Sequence, residues 1–208
     1  MAFFMAERKF KIAVTGGIGS GKSEFCNFLK EKGYPVIYAD EIAKEIITNN
    51  EEVIKRIKSA FGEKSYLNSK PDIQYLSEVV FSDPAKVKQI NSIIHPFVID
   101  IQNREMERLL KTNDFVFLEA ALIYEAEAEE EFDFVIVITS DKEKKIERVR
   151  RQRGLPETEI IKRMNNQIPD ELKKKWADFT FENNGSLEEL KFKAEWFLTL
   201  IKSMRGTN

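Results

Sequence analysis

At 208 residues the chain fits one globular unit with room for insertions, and it is long enough to bury a core. Lys and Arg number 33 against 35 Asp and Glu, a net charge of −2, so a surface built to coat a nucleic acid is not expected. A single cysteine, Cys26, excludes an internal disulfide, and a single histidine, His95, leaves too few soft ligands for a His/Cys metal centre.

The opening stretch MAFFMAERKF has a short apolar run before Glu7 and Arg8 and no basic leader, and no segment sustains the roughly 18 apolar residues of a membrane span. A soluble chain in a reducing cytoplasm is expected, with no membrane partner. FKIAVT, residues 10–15, is a short β-branched apolar run ending at a cluster of glycines, which predicts a buried strand feeding a tight turn. Phe25, Phe28 and Leu29 then carry helical spacing, with Gly33 placed to cap that helix. PVIYAD, residues 35–40, predicts a second strand with Asp40 at its carboxyl end.

From 41 to 112 the apolar residues of EIAKEII, EEVIKRIKSAF, DIQYLSEVVF and PAKVKQINSII recur at three-and-four spacing, which predicts an inserted helical subdomain with no strand comparable to the first two. Ser82 and Asp83 before Pro84 predict one helix start, and Pro96 predicts another for a helix through Leu110. DFVFLEAAL and FDFVIVITS read as strands covered on both faces, and DFTFEN, residues 178–183, as a further strand. Strands alternating with helices predict an α/β fold with a parallel sheet flanked by helices.

The glycine cluster reads Gly16-x-x-x-x-Gly21-Lys22-Ser23, the P-loop pattern, between a predicted strand and a predicted helix. Gly17, Ile18, Gly19, Ser20 and Gly21 turn backbone amides inward toward phosphate oxygens, helped by the positive end of the next helix. Lys22 adds a mobile charge for the β- and γ-phosphates, and Ser23 offers a hydroxyl to Mg²⁺. The expected ligands are therefore a nucleoside triphosphate and Mg²⁺. Neither a D-x-x-G triplet nor an N-K-x-D guanine reader follows, which sets a switch GTPase aside. A motor or helicase finds no basic, aromatic-studded groove. A small-molecule kinase remains, beside a nucleotide-gated binding protein whose helical insert engages a partner.

Asp40 falls at the sheet edge where parallel α/β folds bind ligands, so its carboxylate is placed to orient an acceptor hydroxyl in line with the γ-phosphate. The competing role for Asp40 is a helix N-cap. Glu119 closes FVFL at a position suited to holding Mg²⁺ through water, or is a strand-end residue bonded locally. The acidic run Glu125–Glu131 is expected to be a solvated helix face. A segment with Arg148, Arg150, Arg151, Arg153 and Arg163 suggests a helical arm closing over the nucleotide, although helical spacing keeps these arginines from sharing one face.

Taken together, VTGGIGSGKS, VIYAD, IIHP at 93–96, ALIYE at 121–125, RMNNQ at 163–167 and ADFTFENNGS at 177–186 resemble, in order, the motifs of the dephospho-CoA kinase family. The resemblance covers nearly the whole chain. It implies a P-loop NTPase-like core (8–40, 113–147 and 177–208), a helical substrate domain (41–112) and a helical lid (148–176). It further implies transfer of the γ-phosphate of ATP to the ribose 3′-hydroxyl of dephospho-CoA, with no obligate protein partner.

By position, Asp40 would be the base and a metal-side group with Ser23, Lys22 and Arg148 catalytic, and Asn183 near adenine. Thr15, His95 and Arg163 would lie on the acceptor side. His95, a lone histidine before proline, also reads as a structural residue. Glu24 replaces a threonine after the P-loop serine and is expected to turn aside. Ala121 replaces a proline, and Gln152 stands where the family carries a second lid arginine, with Arg151 and Arg153 on either side.

Overall fold

The computed structural model describes residues 8–206; residues 1–7, where no leader is expected, and 207–208 of the expected core lie outside the described residues. In chain order the strands are β1 (Phe10–Thr15), β2 (Val36–Tyr38), β3 (Tyr66–Leu67), β4 (Lys70–Pro71), β5 (Phe115–Glu119), β6 (Phe134–Thr139) and β7 (Phe179–Glu182). The helices are α1 (Lys22–Glu31), α2 (Ala39–Asn49), α3 (Glu51–Phe61), α4 (Ile73–Val80), α5 (Pro84–Leu110), α6 (Lys142–Arg153), α7 (Glu157–Asn165), α8 (Asp170–Trp176) and α9 (Leu187–Gly206).

Five strands form one sheet in the order β2-β5-β1-β6-β7, every pair parallel. Strand β1 is central, so its carboxyl end opens at the crevice where such sheets bind ligands. Side chains alternate across it: Phe10, Ile12 and Val14 pack with Phe25 and Leu29 of α1 and Phe197 of α9. On the other face Ala13 joins Val116, Leu118 and Val137 beneath Met106 of α5. Cover on both faces explains why β5 and β6 are continuous apolar runs.

A separate cluster, including Ile46, Val53, Ile57, Leu76, Val80 and Ile94, forms the core of α2 to α5. Two features of this region add to or depart from the sequence expectation. First, β3 and β4 make a small antiparallel hairpin, turned by Asn68 and Ser69 at φ of 50° and 63°. Tyr66 is buried there and donates its hydroxyl to the Ile47 carbonyl at 2.7 Å.

Second, no helix starts at Pro96. Helix α5 begins at Pro84, capped by the Asp83 carboxylate on the Ala85 amide at 2.8 Å, and runs through Pro96 to Leu110. An interior proline costs about 3 kcal/mol or more. Pro96 itself is exposed, whereas Ile94, Val98 and Met106 on either side of it are buried. At about 1.5–3 kcal/mol for each buried side chain, their burial outweighs the proline defect and holds one continuous helix.

The acidic run is likewise not a helix face. Tyr124–Ala126 and Glu129–Glu131 are single 3₁₀ turns separated by Glu127 at a left-handed φ of 53°. Glu125 is drawn inward by Lys173, as described below.

Candidate active site at the P-loop

Strand β1 delivers the chain into the glycine turn, and α1 begins at Lys22 directly behind it. Gly21 caps α1 at φ 96°, and a Cβ there would sit 2.1 Å from the Asn183 amide nitrogen. Gly19, at φ 77°, lies so close to α6 that a Cβ would meet the Lys145 carbonyl at 2.6 Å. The two glycines let the loop turn and let α6 and the end of β7 close on it.

Three side chains fasten this contact. Asn183 is buried and donates from Nδ2 to the Ser20 carbonyl at 2.9 Å. Arg148 donates to the Asn183 carbonyl at 2.8 Å, to the Ser140 hydroxyl at 3.1 Å and to the Gly19 carbonyl at 3.4 Å. Gln167 accepts from the Ile18 amide at 2.9 Å. A buried ion pair, Lys145 Nζ to Asp170 Oδ2 at 2.6 Å, adjoins Gly17.

Glu119 closes β5 and is buried beside the loop. It accepts from Ser23 Oγ at 3.2 Å and pairs with Lys22 Nζ at 3.5 Å. Burial pushes its carboxyl above the ordinary value; Lys22 opposes this, and the nearby Asp40 carboxylate raises it further. Asp40 is not the last residue of its strand. β2 ends at Tyr38, which caps α2, and Asp40 occupies the first turn of that helix with an exposed side chain. An acid suits the positive helix end.

Two hollows meet here. One, of about 330 Å³, is bordered by Gly19, Gly21, Ser23, Glu24, Arg148 and Asn183. Glu24 is also among the residues that border this hollow. The other, of about 670 Å³, opens between the P-loop, the α4–α5 region and α7, and is bordered by Ile18, Asp40, Phe81, Glu125 and Arg163. Lys22 borders both.

Thr15, Gly17, Ser20 and His95 border neither of these hollows. Thr15 and Ser20 are fully buried, and neither hydroxyl has a protein partner. Burial holds the His95 imidazole below its ordinary pKa, with Glu125 opposing. Arg163 faces the cleft, paired with Glu159 at 2.5 Å and stacked 4.9 Å from the Phe81 ring centroid. Sequence reasoning left Gln167, Lys145 and Asp170 out of the site. Gln167 ends the RMNNQ stretch, but the two halves of the ion pair look like ordinary surface charges in the sequence.

The donor set suits a hard cation. Ser23, Glu119 and Asp40 offer only oxygen, and the two carboxylates repel each other beside a single lysine. Among the described residues no helix is long and apolar enough to cross a membrane.

The profile of the CoaE dephospho-CoA kinase family matches residues 10–189. A dephospho-CoA kinase of Salinibacter ruber is 35% identical over 185 residues, covering 88% of this chain and 93% of that protein. A solved structure of a Thermus thermophilus protein matches with a TM-score of 0.78 at 33% identity, covering 92% of this chain and 97% of the other. The dephospho-CoA kinase of Campylobacter jejuni matches with a TM-score of 0.68 at 30% identity, covering 92% and 96%. The chain belongs to the dephospho-CoA kinase family.

Proposed function

We propose that this chain transfers the γ-phosphate of ATP to the ribose 3′-hydroxyl of dephospho-CoA, with ATP in the smaller hollow and the acceptor in the larger cleft. The observation carrying this reading is that Lys22 borders both hollows while Asp40 borders the cleft alone. Phosphate charge and acceptor hydroxyl thus meet at one wall.

In this reading Lys22 and the P-loop amides other than those of Ile18 and Ser20, which are bonded to Gln167 and to the Gly17 carbonyl, hold the β- and γ-phosphates at the start of α1. Asp40 accepts the hydrogen bond of the 3′-hydroxyl and aims its oxygen at the γ-phosphorus. As the new O–P bond forms, the bond from phosphorus to the bridging β–γ oxygen breaks, its electron pair stays on ADP, and the hydroxyl proton passes to Asp40. Ser23 would hold Mg²⁺, with Glu119 and Asp40 beside it, and the cation would offset phosphate charge during transfer. Arg148, its guanidinium shared among three protein oxygens, fixes the P-loop to β6 and β7 while lining the nucleotide side.

Residues 41–112 form the acceptor domain, with Phe81 and Arg163 flanking its mouth, and 148–176 form the lid. His95 supports the acceptor domain from within α5, and Thr15 supports the P-loop from beneath. The buried free thiol of Cys26 fits a reducing cytoplasm. The test is an acceptor analogue lacking the 3′-hydroxyl. It should compete with dephospho-CoA yet release no ADP; ADP release from that analogue would place the phosphoryl group elsewhere.

A further inference from the structure

Two polyanions, a triphosphate and a nucleotide-bearing acceptor, must approach each other at the wall between the two hollows. That wall needs positive charge not already used within the protein. Besides Lys22, Arg153 borders both hollows.

The other cations nearby are engaged or differently placed. Lys22 pairs with Glu119, and Arg148 donates to three protein oxygens. Arg163 is held by Glu159 and Phe81. Arg151 borders the nucleotide hollow without reaching the cleft, as does the neutral Gln152. Among the described residues none forms a hydrogen bond or ion pair with Arg153, whose side chain is exposed at the end of α6.

Its backbone, in contrast, is well fixed. Helix α6 rests on Gly19 through Lys145 and Val149, is tied to the P-loop by Arg148, and stops at Gly154, a left-handed cap at φ 64°. Arg153 lies five residues beyond Arg148, about 7.5 Å further along the axis. A long, unpaired guanidinium therefore stands on a rigid base with both ligand spaces in reach.

We propose that Arg153 is a catalytic residue of the transfer, its guanidinium bridging oxygens of the γ-phosphoryl group as that group passes between the hollows. This role rests on the kinase reading above. Arg153 gains and loses no bond; it stabilises charge on the equatorial oxygens, where a planar fork of donors reaches two oxygens at once. Gln152, one residue earlier and confined to the nucleotide side, does not take this part.

The test compares Arg153→Ala, Arg153→Lys and Arg150→Ala with the unaltered enzyme, measuring acceptor-dependent ADP release and, separately, ATP affinity. Arg150 borders neither hollow and serves as the control. Arg153→Ala should lower kcat about 10²- to 10³-fold with ATP affinity changed little. Arg153→Lys should recover only part of the loss, and added guanidinium ion should raise the turnover of Arg153→Ala alone.

A kcat for Arg153→Ala within about threefold of the unaltered enzyme would overturn the proposal, as would a loss confined to ATP affinity. Full recovery in Arg153→Lys would overturn the bridging geometry. If the unaltered enzyme showed no release stimulated by dephospho-CoA, the kinase reading itself would fall and take this role with it. The two failures are thus told apart in one experiment.

Discussion

Lys173 has no exposed surface, and its ammonium pairs with Glu125 at 2.8 Å and donates to the Ala121 carbonyl at 3.2 Å. The same Glu125 oxygen accepts from the Ile168 amide at 2.9 Å, so one carboxylate joins the loop after β5, the end of the α7 segment and α8. Replacing Lys173 by Met keeps the apolar stem and removes the cation, leaving a carboxylate with only 13% of its side chain exposed and without its counter-charge. Breaking one side of such a pair costs about 3–5 kcal/mol. For a chain of this size each kcal/mol moves the melting temperature by roughly 2–4 °C, so Lys173→Met should melt about 6–20 °C lower.

The double variant Glu125→Gln/Lys173→Met removes both charges and should regain more than half of that loss, because the penalty lies in the orphaned charge. Thermal melts and urea unfolding of the wild type, both single variants and the double variant give the coupling. A Lys173→Met protein within about 1 kcal/mol of wild type, or strictly additive losses, would refute the argument that this buried pair ties α8 to the cleft wall.

Asp40→Asn should leave ATP affinity nearly unchanged while turnover falls about 10²- to 10⁴-fold, measured by ADP release beside nucleotide titration. Gly21→Ala forces a left-handed residue, about 1–2 kcal/mol, and displaces the buried Asn183 amide from Ser20, about 1–3 kcal/mol more. The melt should therefore fall together with ATP binding. Burial holds the His95 pKa below 6.5, so the folded protein binds fewer protons than the unfolded chain in mild acid. Its contribution to stability is whole above pH 6.5 and shrinks as pH falls, so the wild-type melt should drop between pH 7.5 and 5 more than that of His95→Gln.

Local signals in the sequence carried much of this architecture. FKIAVT is β1 residue for residue, EEVIKRIKSAF is α3, and the P-loop pattern places Lys22 at the head of α1. Each depends on near neighbours: alternation, helical spacing, glycine dihedrals. Pro96 misled because a proline's local effect is visible in sequence, while the packing of Ile94 and Val98 that overrides it is long-range. The strand-end reading of Asp40 was off by two residues, since β2 ends at Tyr38 and Asp40 already belongs to the first turn of α2.

The pairs Lys145–Asp170 and Lys173–Glu125 were invisible, because KEKK and ELKKKW hide one buried lysine among several solvated ones. Glu119 was legible as an acid at a strand end. Only the fold brought it against Lys22 and Ser23.

The most direct measurement is ADP release from ATP and Mg²⁺ with dephospho-CoA as acceptor, alongside adenosine, AMP and other nucleosides, with the mass of the product determined. The account expects fast release only with dephospho-CoA and a product one phosphoryl group heavier. Release stimulated by another acceptor alone, or by none, would contradict it.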